Sequence, residues 1–230
     1  MKGKRRILVV DSDRAVVTFL QRTLRAYGYE TVAAFDGSEG LEAVNCEVSD
    51  LVVLDMTLPV IDGLTLCTRI REWSSVPVIV LSSRADQADK VHCLDAGADD
   101  YITKPFGTEE LMARIRTAFR HVELPSIVPP QPAITFGNVT VDIGKRRVTV
   151  ADQEVKLTPL EYGLLKELVL NKGRVLTHQY LLTMVWGSEY AQETDYLHVF
   201  IRRVRRKIEP EPSKPRYFIS VSGVGYRFVS

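Results

Sequence analysis

The sequence predicts an α/β doubly wound sheet of five parallel strands followed by a smaller α+β domain. Three observations carry this reading. Short runs of consecutive apolar residues, such as Leu51-Val52-Val53-Leu54, alternate with amphipathic stretches through the first half of the chain, the pattern of strands covered on both faces by helices. The segment Val122 to Pro132 holds four prolines in eleven residues and reads as an extended, semi-rigid spacer. Charge then changes sign: residues 1–133 carry 15 Lys/Arg against 19 Asp/Glu, and residues 134–230 carry 15 against 10. An acidic half joined to a basic half implies two domains, 1–121 and 134–230, with nucleic acid a candidate partner of the second.

Length and composition exclude several classes. At 230 residues, 45% hydrophobic and 26% charged, the chain has room for two ordinary globular cores. No apolar run approaches the roughly 18 residues that span a bilayer, so no membrane partner is expected. The amino terminus is basic and then apolar, but four residues after it begins the apolar run meets Asp11; it is a strand, not a signal peptide. Cys46, Cys67 and Cys93 form no CxxC pair, so neither a disulfide framework nor a zinc site is signalled, and a cytoplasmic location is expected.

The elements follow in order. Ile7 to Val10 is the first buried strand and ends in Asp11-Ser12-Asp13. Val16, Phe19, Leu20 and Leu24 recur at helical spacing until Gly28 stops the helix. Glu30 to Ala34 is a second strand, and Gly40 to Val44 belongs to a second helix. The Leu51–Leu54 strand is third, with Asp55 at its far end. After the Asp62-Gly63 turn, Leu64, Leu66, Ile70 and Trp73 mark a third helix. Pro77 to Leu81 is the fourth strand, ending at Ser82-Ser83, and a fourth helix runs from about Ala88 to Ala96. Asp100-Tyr101-Ile102 is a short fifth strand leading into Lys104-Pro105-Phe106. Thr108 caps a last helix, with Glu109 and Glu110 favourably placed in its first turn.

Asp11, Asp55, Ser82 and Lys104 thus each fall at the carboxyl end of a different strand, where ligands bind in such sheets. A lone Asp after a strand is most often a turn or cap residue; four converging groups are another matter. Two carboxylates, a hydroxyl and an ammonium suit a divalent metal plus a phosphoryl group. The absence of a Gly-rich phosphate loop argues against a nucleotide.

These residues resemble the receiver domain of two-component response regulators over about residues 5–121. The matching motifs are Asp55-Met56-Thr57-Leu58-Pro59 with Asp62-Gly63, Ser82, and Gly97-Ala98-Asp99-Asp100-Tyr101-Ile102-Thr103-Lys104-Pro105-Phe106. Together they are specific; any one alone is weak. The resemblance implies a flavodoxin/CheY-like fold in which Asp55 takes a phosphoryl group from a sensor histidine kinase. It implies Mg2+ held by Asp11, Asp55 and the backbone carbonyl of Thr57, with Ser82 and Lys104 contacting the phosphoryl group and Tyr101 changing rotamer. Carboxylate phosphorylation splits the transfer into two steps, and a metal offsets developing charge. Relatives carry a second acidic residue after the first strand where this chain has Ser12, so weaker Mg2+ binding is expected. Asp13 is a further candidate ligand, although a strand-to-loop path need not point it into the pocket. The resemblance also implies a homodimer when active, across the fourth helix, fifth strand and fifth helix. Lys90, Asp99, Glu110 and Arg114 match its salt-bridge positions, with Leu94 and Ala113 as apolar contacts.

Beyond the spacer come strands at Val139 to Asp142, Arg147 to Val150 and Glu154 to Leu157. Thr158-Pro159 opens a helix: threonine caps, proline takes the first position, and Glu161 completes a capping box. Thr177 caps a second helix carrying Leu181, Leu182 and Val185, and a third runs from about Thr194 to Ile208. A hairpin, Phe218 to Val221 and Tyr226 to Val229, ends the chain.

On the third helix Leu197, Ile201, Val204 and Ile208 share one face, and wheel geometry puts Val199, Arg202, Arg203 and Arg206 opposite, facing outward. Basic runs are most often solvated faces. Here the five basic residues from Arg202 to Lys207 lack acidic partners at helical spacing, and a helix with a two-stranded wing is a standard way into the major groove. Double-stranded promoter DNA is the expected partner, with Thr194, His198, Arg205 and Arg227 completing the candidate contact set.

This half resembles the winged-helix effector domain of the OmpR/PhoB subfamily over about residues 134–230. The features are Leu157-Thr158-Pro159-Leu160-Glu161-Tyr162, Gly173-Arg174-Val175-Leu176-Thr177, Val185-Trp186-Gly187, Ile201-Arg202-Arg203-Val204-Arg205-Arg206-Lys207 and Gly223-Val224-Gly225-Tyr226-Arg227-Phe228. The resemblance implies base reading by the third helix, a minor-groove wing contact weakened by Ser222 at its tip, and an RNA polymerase contact by the 186–193 loop. Arg71-Glu72-Trp73-Ser74-Ser75-Val76-Pro77, Thr194-Asp195-Tyr196-Leu197 and Lys214-Pro215-Arg216-Tyr217-Phe218 are most similar to the potassium-operon branch of the subfamily. The expected function is a DNA-binding transcription regulator switched by phosphorylation of Asp55, and not a turnover enzyme. The alternative is a phosphorylation-independent regulator that keeps its receiver only for dimerisation. A phosphatase-type enzyme is disfavoured, because it leaves the basic domain unexplained.

Overall fold

The structure, a computed structural model, describes residues 4–46, 49–120 and 133–230. The chain divides into two compact units, Met1–Ala118 and Phe119–Ser230. The proline-rich spacer expected at 122–133 lies, except for its last residue, outside the described residues.

The first unit alternates strictly: β1 (Arg6–Val10), α1 (Arg14–Ala26), β2 (Glu30–Ala34), α2 (Gly37–Cys46), β3 (Leu51–Asp55), α3 (Gly63–Trp73), β4 (Val78–Ser82), α4 (Gln87–Asp95), β5 (Asp100–Thr103) and α5 (Thr108–Arg120). The five strands are parallel in the order β2-β1-β3-β4-β5. Strand order reverses between β1 and β3, and ligands bind at such switch points. The apolar runs of β1, β3 and β4 are buried throughout, as sheets covered on both faces require. Two local devices shape the switch-point end. The Asp13 carboxylate caps α1, accepting from the Ala15 and Val16 N–H groups at 2.8 and 3.4 Å. Gly63 opens α3 hard against β3: its N–H donates to the Met56 carbonyl at 3.0 Å, and an added Cβ would lie 2.2 Å from the Asp55 carbonyl oxygen.

The second unit begins with an antiparallel sheet of β6 (Ile134–Phe136), β7 (Val139–Asp142), β8 (Arg147–Val150) and β9 (Gln153–Glu154). It continues with α6 (Pro159–Leu170), β10 (Val175–Thr177), α7 (His178–Val185), a 3-10 turn at Ser188–Tyr190, α8 (Thr194–Ile208), β11 (Phe218–Val221) and β12 (Gly225–Phe228). β12 lies between β10 and β11, so the final hairpin is tied back to the start of α7 in a winged-helix arrangement. Of the strand expected over Glu154 to Leu157 only Glu154 is retained, together with Gln153 in β9, because the chain leaves the sheet to enter the capped start of α6. There the capping box forms as predicted: Glu161 Oε2 accepts the Thr158 N–H at 2.9 Å, and Thr158 Oγ1 accepts the Glu161 N–H at 3.4 Å.

Candidate functional site

Four strand ends deliver the acidic pocket. Asp11 follows β1, Asp55 closes β3, Ser82 closes β4 and Lys104 follows β5. Lys104 spans the two carboxylates, with Nζ 2.7 Å from Asp11 Oδ2 and 2.6 Å from Asp55 Oδ1. Backbone amides hold the other two oxygens: Asp13 N–H donates to Asp11 Oδ1 at 2.9 Å, and Thr57 N–H to Asp55 Oδ2 at 2.8 Å. Burial pushes the Asp55 carboxyl above its ordinary range, and the hydrogen bond and charge of Lys104 pull it only part of the way back. For Lys104, burial acts downward, but its bonds to Asp11 and Asp55 outweigh it and leave the ammonium raised. The pocket therefore keeps a charged lysine and has one more carboxylate than it has cations.

That donor set fits a hard cation. Two carboxylates converge within reach of one ammonium, and the Thr57 carbonyl follows in the same loop; oxygen donors of this kind suit Mg2+. Among the described residues no group of three or more His, Cys, Asp or Glu side chains converges as a metal site. The Asp13 carboxylate spends Oδ1 on capping α1, and Ser12 is exposed. Ser82 is buried; its hydroxyl donates to Met56 Sδ at 3.4 Å and accepts the Arg84 N–H at 3.1 Å. Tyr101 is turned inward, 5% exposed, with its hydroxyl donating to the Arg84 carbonyl. Burial raises its pKa, and a hydrogen bond with Ser82 acts the other way.

The basic helix α8 needs a correction. Val199 and Arg203, expected to face outward, are buried. The helix packs through a wide arc that includes Tyr196, Leu197, Phe200, Ile201, Val204 and Ile208, and this arc leaves only a narrow outer stripe. Thr194, His198, Arg202 and Arg206, each four residues apart, are exposed, and Arg205 is half-buried beside them. Nor is the basic run without acidic partners. Arg203 Nε lies 2.8 Å from Glu161 Oε1 and Lys207 Nζ 2.6 Å from Glu161 Oε2. The counter-ion comes from α6, a different helix, where spacing along α8 gives no hint of it. Arg205 donates to the Phe218 carbonyl and, at 3.0 Å, to Ser220 Oγ, so it braces the helix against the hairpin. Arg227 is exposed on β12. His198, Arg202, Arg205 and Arg206 line a groove of about 470 Å³ together with Pro212 and Ser213.

Residues 7–116 match the response regulator receiver domain family, and residues 152–228 match the family described as transcriptional regulatory protein, C terminal. The KDP operon transcriptional regulatory protein KdpE of Escherichia coli is 41% identical over 223 residues, 97% of this chain and 98% of that protein. The chain belongs to the response regulators. Its carboxyl-terminal half is of the OmpR/PhoB type, and response regulators of this type are DNA-binding regulators of transcription rather than turnover enzymes. Among solved structures, a RitR mutant is 28% identical with a TM-score of 0.78, covering 98% of this chain and 99% of its own. DrrB of Thermotoga maritima, an OmpR/PhoB homolog, is 30% identical with a TM-score of 0.53, covering 99% of this chain and 100% of its own.

Within the receiver, two residues expected on a dimer face lie inside instead. Asp99 is wholly buried; Oδ2 accepts from Arg71 Nη2 at 2.7 Å and from the Val78 N–H at 3.0 Å. Arg71 also donates to the Gly97 and Val76 carbonyls at 2.8 and 2.7 Å, so the pair clips α3 to the loops flanking β4 and β5. Leu94 is likewise fully buried. The neighbouring Asp100 is the acid that faces α5, with Oδ2 3.9 Å from Arg114 Nε. Arg114 also lies 3.7 Å from Glu110. Glu110 is exposed, and Lys90, Ala113 and Arg114 are half-buried. Among the described residues no helix is long and apolar enough to cross a membrane.

Proposed function

We propose that this response regulator is a cytoplasmic transcription factor whose receiver, residues 1–121, takes a phosphoryl group on Asp55 from a sensor histidine kinase. A spacer at 122–133 joins it to the DNA-binding domain, residues 134–230. The observation that carries the reading is the bridge of Lys104 between Asp11 and Asp55. An Asp55 oxygen attacks the donor phosphorus, the bond from phosphorus to the donor nitrogen breaks, and an acyl phosphate forms. Lys104 is placed to exchange its carboxylate partner for the new phosphoryl oxygens, and the Ser82 hydroxyl lies at the next strand end to donate to another. Asp11, Asp55 and the Thr57 carbonyl would hold Mg2+, which supplies positive charge to the phosphoryl oxygens when bound. With Ser12 in place of a carboxylate that Mg2+ is held more weakly.

The output side is a homodimer on promoter DNA. Lys90, Glu110, Ala113 and Arg114 remain candidates for the receiver contact, joined by Asp100. Surface ion pairs add little affinity each, so they set register. Thr194, His198, Arg202, Arg206 and Arg227 meet DNA. In the 186–193 loop Trp186 and Tyr190 are buried while Ser188, Glu189 and Gln192 are exposed; those three are where RNA polymerase would touch. The likeness to KdpE makes a KDP-type operon the first target to try.

One observation favours a second reading. Tyr101 is turned inward with its hydroxyl on the Arg84 carbonyl, a position that a regulator holding its active form without phosphate would share. Intact mass after incubation with a small phosphodonor, with and without Mg2+, decides. An Mg2+-dependent phosphoryl adduct lost in Asp55→Ala supports the switch; no adduct at high Mg2+ supports the phosphate-independent regulator.

A further inference from the structure

We propose that His178, His198 and Tyr226 form a proton-linked phosphate subsite, so that duplex DNA docks on this domain with uptake of a proton. The proposal rests on the reading of α8 and the hairpin as the DNA-contacting surface. The three residues come from three elements: His178 opens α7, His198 lies on the exposed stripe of α8, and Tyr226 is on β12. His198 Nδ1 is 2.7 Å from the Tyr226 hydroxyl, and the two imidazoles meet edge to face with centroids 5.3 Å apart. The His178 ring lies 5.7 Å from that of Tyr226, and its backbone N–H donates to the Val224 carbonyl in the hairpin turn at 3.0 Å. Both rings are therefore held where α7, α8 and the wing meet.

The charged surroundings are mixed but mostly cationic. On α8, Asp195 lies one turn before His198 and Arg202 one turn after it. From β12, Tyr226 is the titratable neighbour and Arg227 the exposed cation; Arg205 sits over the Tyr226 ring at 5.7 Å. The first turn of α7 contains no acidic residue. Two adjacent imidazolium ions repel each other, so a proton on one ring disfavours a proton on the other. Burial, and then the neighbouring His198, hold His178 below its ordinary range. A backbone phosphate reverses that balance, since an anion beside an imidazole favours its charged form. The imidazole pKa is then higher in the complex than in the free protein. The added affinity is complete below the free value and is lost as pH rises through the value in the complex.

The test uses the full chain and a short mixed-sequence duplex, with Kd measured by fluorescence anisotropy at constant ionic strength from about pH 6 to about pH 8. Kd is expected to rise with pH, by up to about tenfold per unit for one proton. His178→Gln and His198→Gln are expected to flatten the profile, while His92→Gln, in the receiver, keeps its slope. Calorimetry of the unmodified protein is the second measurement: proton uptake makes the binding enthalpy vary with the ionisation enthalpy of the buffer. A Kd independent of pH, a slope that survives both substitutions, or an enthalpy independent of buffer overturns the proposal. Failure to bind duplex at any pH overturns instead the DNA-binding reading beneath it.

Discussion

The Arg203 guanidinium lies 2.8 Å from the Glu161 carboxylate, in a pair almost closed to solvent. Lys207 takes the second oxygen, and the same carboxylate caps α6. One buried acid thus joins the first turn of α6 to the last turns of α8, and its loss affects both helices.

Glu161→Ala leaves the buried Arg203 without its carboxylate, which costs about 3–5 kcal/mol; Arg203→Ala leaves Glu161 with Lys207 as its remaining cation and costs less. Both are expected to unfold at clearly lower denaturant concentration. Arg203→Ala that remains folded should keep the parent's preference among operator variants; a changed preference would return Arg203 to the base-reading set.

Acid should act through the same carboxylate. Burial alone pushes Glu161 up, but Arg203 and Lys207 outweigh it and hold the group below its ordinary value of 4.5. A depressed carboxyl contributes stability above its unfolded pKa and loses it as pH falls through the folded value. Denaturation midpoints of the DNA-binding domain are therefore expected to fall below about pH 4.5 in the parent, and less steeply in Glu161→Gln.

Salt dependence separates the outward arginines from the inward one. Each phosphate contact contributes about 0.9 to the slope of log affinity against log salt. Arg202→Ala and Arg206→Ala should each reduce that slope by about this amount. Slopes unchanged in both would remove the exposed stripe of α8 from the phosphate contacts.

Lys104→Gln leaves Asp11 and Asp55 facing each other without their cation. The receiver is expected to lose about 1–3 kcal/mol. The deficit should shrink as pH falls, because protonating Asp55, already raised by burial, removes the repulsion. Added Mg2+ should also reduce it, and thermal unfolding with and without the metal reads both effects.

Ser12→Asp adds a carboxylate next to Asp11 in the chain and should tighten Mg2+ several-fold by calorimetric titration. An unchanged titration would mean that Asp13 serves the metal in spite of its cap on α1.

The pocket was legible because its signals are local: an apolar run ends, and the next polar residue stands at the strand's carboxyl edge. Asp11, Asp55 and Ser82 need no more than that and the parallel order of the sheet; Lys104 stands one residue further on, after Thr103. The outer face of α8 was misread for the opposite reason. Four apolar residues defined a stripe, but α6, α7 and the hairpin pack on the helix from more than one side and draw in Tyr196, Val199 and Phe200 as well. The Glu161 counter-ion is 42 residues from Arg203, beyond any periodicity. Glu161 itself was visible only as a capping residue. Asp99 and Asp100 are adjacent acids, and composition could not say which would turn inward to Arg71 and which toward α5.

Gly63 gives the phosphoacceptor a neighbour defined by what it lacks. Since even one added carbon would lie 2.2 Å from the Asp55 carbonyl, every missense change in that codon pushes on the strand that carries the reactive acid. A residue with no chemistry of its own is thereby closed to mutation almost as firmly as the aspartate. A genetic screen for loss of signalling should recover both positions, one through reactivity and the other through space.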